Sequence, residues 1–188
     1  MPAETGYTQT QVAKWLARIW GIEGGFQADP ADRGNWTGGE TGKGLLLGTK
    51  YGISAAAYPG LSIKQITPEQ AADIYMRDYL APLNAVALAD GMVFQLLDCA
   101  VNSGIGTANR LLQSAVGVAP DGRIGPVTRA AIAQRSESDL IMLFLAERLD
   151  YLRALSRWPI YGSGWCGRIA ASFPAICWRL SAALIASR

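Results

Sequence analysis

The sequence predicts an α+β protein that is predominantly helical, with a small β-rich lobe early in the chain and a larger helical lobe after it. Two observations support this class. Residues 29–60 are glycine-rich, with eight Gly among 32 residues, whereas residues from about 90 onward follow helical apolar periodicity with short Gly- or Pro-containing breaks. No repeat or linker interrupts the chain. We therefore expect residues 1–88 and 89–188 to form two segments of one globular unit.

The first helix is predicted at residues 8–22. Val12, Trp15, Leu16 and Ile19 recur at the spacing of one buried helical face. Two glycines at 24 and 25 follow and favour a helix end.

Short apolar stretches within the glycine-rich region predict a small β-hairpin. They are Leu45-Leu46-Leu47 and Lys50-Tyr51-Gly52-Ile53. Beyond them, Thr67-Pro68-Glu69-Gln70 combines a Thr cap, a first-turn proline and a Gln three residues on, which is typical of a helix start. This helix is expected to end near Leu80, before Pro82. The remaining predicted helices cover about 90–103, 105–116, 126–134, 138–157, 162–172 and 174–186.

Composition excludes several kinds of chemistry. The chain has no histidine, which removes Ser-His-Asp and Cys-His nucleophile systems and His-based zinc sites. Acid–base chemistry then falls to other side chains, and no cofactor or metal is expected. Residues 95–188 contain ten basic residues, all Arg, and six acidic ones. This bias indicates either an ordinary solvated surface or attraction to an anionic polymer or membrane surface. Basic runs with interleaved aromatics are missing, so no nucleic-acid partner is expected.

The three cysteines are Cys99, Cys166 and Cys177, an odd number without paired spacing, so no disulfide framework is predicted. Cys99 lies in an apolar helical run and is expected in the core. The N-terminus lacks a basic and then apolar signal, so the sequence predicts synthesis in a cytoplasm without a signal peptide. At the other end, Arg179 and Pro174 argue against a spanning helix in the apolar stretch 169–185. A buried C-terminal helix is expected there, with a membrane-touching amphipathic tail as the alternative.

Glu23 is the most informative candidate for chemistry. It stands at a predicted helix end among the apolar residues Trp20, Ile22 and Phe26. Desolvation there raises the pKa of a carboxyl group, and the helix dipole at a C-terminus disfavours a carboxylate. Both effects suit a general acid, and glycosidic-bond cleavage needs such an acid with a second carboxylate across a gap. The alternative is a solvated Glu at a helix end.

Asp32 follows nine residues later and is the candidate second carboxylate, able to activate water or stabilise developing positive charge. Asp29 precedes Pro30 and more readily caps a turn. Thr49 is the candidate for holding the attacking water through its hydroxyl, against an ordinary strand role. Tyr51, beside it, is an expected substrate contact.

Four residues of the second half are expected substrate contacts: Asp98, Asn102, Trp165 and Arg168. Asp98 and Asn102 are four apart and share a helical face, where capping is the equal alternative. Trp165 and Arg168 follow Gly162-Ser163-Gly164 as a possible wall of a sugar-binding cleft. Aromatic faces stack on sugar rings and Arg pairs with carboxylates, whereas a core Trp is the competing interpretation.

Taken together, these motifs resemble glycoside hydrolase family 108, phage endolysins of lysozyme-like fold. The first half carries the series Glu23-Gly24-Gly25, Asp29-Pro30-Ala31-Asp32-Arg33-Gly34 and Thr49-Lys50-Tyr51-Gly52-Ile53-Ser54. The second half resembles the peptidoglycan-binding segment that usually follows, through residues 97–104, Leu112-Gln113, residues 121–128 and residues 164–168. The resemblance covers roughly residues 10–172.

The resemblance implies a muramidase that cuts the β-1,4 bond between N-acetylmuramic acid and N-acetylglucosamine in peptidoglycan, with Glu23 as proton donor. It implies an endolysin that lyses its host, acting as a monomer in the periplasm after holin-mediated release. The chain departs from the family pattern at one point. Asn35 stands where a second Gly is usual, and an extra segment at about 36–48 separates Asp32 from the Thr49 signature. Thr37 also fits the expected spacing, but Gly52-Ile53 follows Thr49 as the pattern requires, so Thr49 is preferred.

Two further interpretations compete with hydrolysis. A lytic transglycosylase also needs one acidic Glu but lets the muramic 6-hydroxyl attack. A non-catalytic cell-wall binding protein would use the loop at 121–128 and the Arg-rich surface. Killing by membrane disruption through the C-terminal helix is a third possibility.

Overall fold

A computed structural model describes residues 6–20, 25–85 and 88–171 of the 188-residue chain. The chain divides into two compact units, Met1–Ala81 and Pro82–Arg188. None of the helices in these described ranges is long and apolar enough to cross a bilayer. The predicted helix at 174–186, and with it the membrane-tail alternative, lies outside the described residues.

The first unit begins with helix α1, Gln9–Trp20. Val12, Trp15 and Leu16 are buried, so the predicted apolar face is confirmed. Thr8 caps this helix: its hydroxyl accepts from the Gln11 N–H at 3.2 Å, and the Gln11 side chain accepts from the Thr8 N–H at 3.0 Å. This reciprocal pair satisfies two amide donors that a helix start otherwise leaves unpaired.

A small antiparallel hairpin is present, but its strands are not the two predicted stretches, because Leu45-Leu46-Leu47 forms no strand of it and Tyr51-Gly52 is its turn. Strand β1, Thr49–Lys50, pairs with strand β2, Ile53–Ser54, with Thr49 opposite Ser54. Tyr51 and Gly52 form the two-residue turn, and both have positive φ, 53° and 73°. Turns with positive φ at both central positions match the right-handed twist of the strands that they join.

The extra segment folds back on itself rather than extending away. Trp36 and Leu46 form an isolated antiparallel bridge, and the Thr37 hydroxyl accepts from the Leu45 N–H at 2.9 Å. The segment closes where the Asn35 carbonyl accepts from both the Leu47 and Gly48 N–H groups, at 3.0 and 3.1 Å. The insertion therefore returns the chain to the point at which it left, immediately before Thr49.

Gly48 is required at this closure. Its φ is +82°, and a Cβ built there would meet the Gln27 carbonyl oxygen and the ring of Phe26 at 2.7 Å. Gly42 is a matched control, because its φ is +80° but a Cβ there meets nothing within 4 Å. We expect Gly42→Ala to cost about 1 kcal/mol of unfolding free energy through backbone strain alone.

Gly48→Ala is expected to cost about 1–3 kcal/mol more than Gly42→Ala, because it adds the steric clash. Urea unfolding of the two variants measures the difference. Equal losses would show that the approach of Gln27 and Phe26 to Gly48 is not tight.

After a 3-10 turn at Ile63–Gln65, helix α2 covers Pro68–Tyr75. The predicted start is confirmed, with Thr67 and Gln70 forming a capping box. The predicted end near Leu80 is wrong. The helix passes through a π-helical turn, Met76–Leu80, into α3, Ala81–Leu83. Pro82 has no N–H to donate, and the turn before it widens so that Ala81 N–H bonds Met76 O, which accommodates the proline without ending the helix.

The second unit contains helices α4 to α8. They are Asp90–Ser103, Ile105–Ala115, Pro126–Ala133, Glu137–Arg153 and Trp158–Ala170. Helix α4 is buried along most of its length, from Met92 to Ala100, and packs with α5 and α7. The expected start of α8 at residue 162 is wrong, because Pro159 favours the first turn and the helix begins at Trp158. Gly162 lies inside this helix, where the absence of a side chain leaves room for the Trp158 ring. A Cβ built at Gly162 would lie 2.8 Å from that ring.

Candidate active site

The acidic loop after α1 carries most of the candidate catalytic residues. Glu23, the expected proton donor, falls in residues 21–24 and lies outside the described residues. Beyond Gly25, the Gln27 N–H donates to the Thr49 carbonyl at 2.9 Å, and the Thr49 N–H donates to the Gln27 carbonyl at 2.8 Å. This pairing fixes the loop against strand β1.

Asp32 is held at the start of the 3-10 turn Arg33–Asn35. One carboxylate oxygen accepts from the Gly34 N–H at 2.8 Å and the other from the Gln27 side-chain amide at 3.3 Å. The side chain is exposed and retains lone pairs for a further donor. Asp29 instead accepts from the Ala31 N–H at 2.9 Å, which is the turn-capping role expected for it.

Sequence reasoning missed the residue at the centre of this loop. Asn35 is fully buried, and its amide nitrogen donates to the Gln27 side-chain oxygen at 2.7 Å and to the Asp29 carbonyl at 2.9 Å. Its amide oxygen accepts from Gln27 Nε2 at 3.1 Å and from the Thr49 hydroxyl at 2.8 Å. The signal was present in the sequence as the departure from the usual glycine, but the partners of Asn35 were not deducible from it.

The two threonines that fit the spacing have different surroundings. Thr49 joins the polar network of Asn35 and Gln27, and Gln27 in turn contacts Asp32. Among the described residues, the Thr37 hydroxyl bonds within the insertion, to the Leu45 N–H. The structure therefore connects Asp32 with Thr49 and not with Thr37, which supports the preference for Thr49.

Tyr51 lies in a cluster of aromatic rings. Its ring centroid is 4.8 Å from that of Trp20, which is 5.9 Å from Tyr75. The Tyr75 hydroxyl donates to the Tyr51 carbonyl at 3.0 Å, and Lys50 Nζ lies 5.2 Å from the Tyr51 ring centroid. Tyr51 is half-buried, so part of its surface is accessible to a ligand.

In the second unit, Asp98 forms a buried ion triad. Its two carboxylate oxygens bond Arg148 Nη1 and Arg168 Nε, both at 2.8 Å. The Asp98 and Arg148 side chains are 4% and 1% exposed, whereas Arg168 is 37% exposed. Asp98 is buried, and its two oxygens hold one guanidinium of α7 and one of α8.

Arg148 was also missed, although the sequence held a signal. It falls on the same face of α7 as Leu140, Phe144 and Leu152, all of which are buried. An Arg on an apolar face needs a buried partner, because an unpaired guanidinium in the interior is costly. Neighbouring Cys99 is buried as expected, and burial raises the pKa of its thiol to about 11, so it is no nucleophile near neutral pH.

The other candidates of this unit lie on its surface. Asn102 is exposed, whereas Asp98, one helical turn earlier, is buried. Trp165 is half-buried on α8, with ring centroids 6.2 Å from Trp158 and 5.9 Å from Tyr161. These aromatics and Arg168 recur at helical spacing along one side of α8. Trp165 is therefore neither fully exposed nor a core residue.

Comparison with known proteins agrees with these features. Residues 16–104 match the family model described as glycosyl hydrolase 108. Among solved structures, SagA of Brucella abortus has a TM-score of 0.70 and 29% identity, covering 88% of this chain and 92% of that chain. No curated protein sequence matches the chain.

The fold and the matched segment define a glycoside hydrolase. Through residues 16–104, a little under half of its length, the chain is similar to glycosyl hydrolase 108. The predicted lysozyme-like α+β fold is confirmed as well. The match includes Glu23, Asp32, Thr49, Asp98 and Asn102 and ends before α8.

Proposed function

We propose that this protein is an N-acetylmuramidase that hydrolyses the β-1,4 bond between N-acetylmuramic acid and N-acetylglucosamine in peptidoglycan. One observation carries the proposal. Asp32 and Thr49 belong to a single hydrogen-bonded network through Gln27 and Asn35, within the segment that matches glycosyl hydrolase 108 and that also includes Glu23. A carboxylate and a hydroxyl held this way suit the handling of a water molecule at an anomeric carbon.

Three residues share the chemistry in this proposal. Glu23 donates a proton to the glycosidic oxygen as the C1–O4 bond breaks. Water then supplies the oxygen that bonds C1, and Asp32 takes up its proton, while the Thr49 hydroxyl orients that water. The hydrogen bonds from Gly34 and Gln27 keep the Asp32 carboxylate in one orientation, which lowers the entropy cost of aligning the water.

Substrate binding is assigned to side chains suited to sugars and acidic peptides. Tyr51 and Trp165 offer aromatic faces, Asn102 offers an exposed amide, and Arg168 offers a guanidinium for a carboxylate of the peptide stem. Asp98 serves by holding Arg168 through Nε rather than by touching the glycan. The segment beyond residue 104 is proposed to add affinity for the wall.

The biological setting that fits this activity is that of an endolysin. The protein would be made in a host cytoplasm, released through a holin and act as a monomer on the wall, causing lysis. The arginine excess of the second half, at ten basic against six acidic residues, favours contact with the anionic wall or membrane surface.

Purified sacculi test the proposal. The wild-type protein is incubated with sacculi, the products are reduced with borohydride and the soluble muropeptides are identified by mass spectrometry. We expect new reducing ends on N-acetylmuramic acid. Reducing ends on N-acetylglucosamine, 1,6-anhydro ends, free stem peptides, or binding without release would each contradict muramidase activity. The last three point respectively to a lytic transglycosylase, an amidase and a wall-binding protein.

A further inference from the structure

Asn35 is the most completely bonded side chain of the acidic loop. It is fully buried, donates twice through its amide nitrogen and accepts twice through its amide oxygen. A buried amide that uses all four of its hydrogen-bonding positions has one orientation, because a flip would set donors against donors and acceptors against acceptors.

That orientation is fixed by a main-chain group. The Asp29 carbonyl lies 2.9 Å from one end of the Asn35 amide and has no hydrogen to give. This end must therefore be the nitrogen, and the opposite end, 2.8 Å from the Thr49 hydroxyl, must be the oxygen.

The polarity of the Thr49 hydroxyl follows. Its single hydrogen is committed to the Asn35 oxygen, so the hydroxyl can meet any further partner only as an acceptor. A hydroxyl that only accepts aligns a water molecule through one of the hydrogens of the water. The oxygen lone pairs of that water are then left for the electrophilic carbon.

The same amide controls the carboxylate through Gln27. The Gln27 and Asn35 side chains form a reciprocal pair, at 2.7 and 3.1 Å. The Gln27 oxygen also accepts from the Asp29 N–H at 2.9 Å, so the Gln27 nitrogen must face Asp32 as a donor at 3.3 Å. One buried amide thus sets the orientation of groups on both sides of it.

We propose that Asn35 is a positioning residue of the reaction, acting with Gln27 to fix the Thr49 hydroxyl as an acceptor and the Asp32 carboxylate in register with it. The inference rests on the proposed function and deepens it. In the step concerned, the water oxygen forms a bond to C1 and gives one hydrogen to Asp32, while C1–O4 breaks and O4 takes the proton of Glu23. Asn35 itself touches neither the substrate nor the water.

A purely structural role has a different signature. The Asn35 main chain already closes the insertion by accepting from Leu47 and Gly48. If the side chain only stabilised the loop, its loss would lower the unfolding free energy but leave the turnover of the folded enzyme unchanged. A positioning role lowers kcat at constant KM and does so through Thr49.

A double-mutant cycle separates the two roles. Asn35→Ala, Thr49→Val and the double variant are assayed on soluble, uncrosslinked glycan strands, with the folded fraction measured by near-UV circular dichroism. We expect each single variant to lower kcat by about 10²-fold with KM little changed, as misplacement of a reacting group does. We expect the double variant to be no slower than the slower single variant, because both remove the same alignment. Thr49→Ser, which keeps the hydroxyl, should restore most of the rate.

The matched control cycle pairs Asn35→Ala with Thr37→Val, since the Thr37 hydroxyl bonds the Leu45 N–H within the insertion and, in the described part of the chain, takes no part in the Asn35 network. Thr37→Val should leave kcat unchanged in the otherwise wild-type enzyme and should add no further loss to that of Asn35→Ala. Losses from Asn35→Ala and Thr49→Val that multiply, or an unchanged kcat in folded Asn35→Ala, would overturn the inference. If Asn35→Ala does not fold, Gln27→Ala replaces it from the exposed side of the network. Gln27→Ala is then expected to be non-additive with Asp32→Asn, and additive losses would overturn the inference equally.

Failure of this inference is distinguishable from failure of the proposed function. A wild-type enzyme that produces no reducing N-acetylmuramic acid ends contradicts the muramidase itself. A wild-type enzyme that produces them while the cycle is additive contradicts only the positioning role of Asn35.

Discussion

Glu23→Gln is expected to slow release of muropeptides from sacculi by about 10²–10⁴-fold, the usual contribution of a positioned general acid. Glutamine keeps the size and most of the hydrogen bonding of the side chain but has no proton to give to the departing sugar oxygen. The loss should therefore fall on kcat, and the binding of the glycan should change little. Initial rates of dye release from labelled sacculi measure the effect.

Glu40→Gln is the matched control for this substitution. Glu40 belongs to the same unit and forms an exposed pair with Lys43 at 2.8 Å within the insertion. Exposed pairs of this kind contribute little to stability. Glu40→Gln should therefore leave both activity and thermal unfolding unchanged. A Glu23→Gln variant as active as Glu40→Gln would show that Glu23 is not the proton donor.

The second large effect is on stability. Asp98→Ala is expected to lower the unfolding free energy by about 3–5 kcal/mol, because it leaves the guanidinium of Arg148 buried without its carboxylate. Arg148 is 1% exposed, so solvent cannot replace the lost partner. The same substitution removes the carboxylate that Arg168 Nε contacts at 2.8 Å and should weaken binding to the wall.

Asp150→Ala tests whether burial is the cause. Asp150 pairs with Arg153 at 3.4 Å in the same unit, and both side chains are at least 70% exposed. Its loss should cost no more than about 0.5 kcal/mol. Guanidinium chloride unfolding of the two variants gives the comparison. Similar costs for Asp98→Ala and Asp150→Ala would mean that the triad is solvated and does not organise the second unit.

Features with local causes were predictable from the sequence. The Thr67–Gln70 capping box and the bounds of α4 depend on residues within one or two turns of each other, and the structure confirms both. Helical periodicity likewise identified the buried side of α1.

Features that depend on distant partners were not predictable. Asp98 and Arg148 are fifty positions apart, and nothing in the spacing indicates that they meet. Asn35 could be recognised as unusual, but its contact with Thr49, fourteen residues later, is a tertiary one. The predicted helix ends were wrong where the structure accommodates a glycine or a proline inside a helix. Gly162 leaves space for the Trp158 ring, and Pro82 follows a π-helical turn.

The central claim, that Glu23 protonates the departing sugar oxygen, is tested most directly by changing the leaving group. Wild type and Glu23→Gln are compared on natural glycan strands and on a dinitrophenyl glycoside of the repeating disaccharide, whose leaving group departs without a proton. We expect the large loss of kcat that Glu23→Gln causes on the natural substrate to shrink to less than about 10-fold on the dinitrophenyl glycoside. An equal loss on both substrates would contradict it.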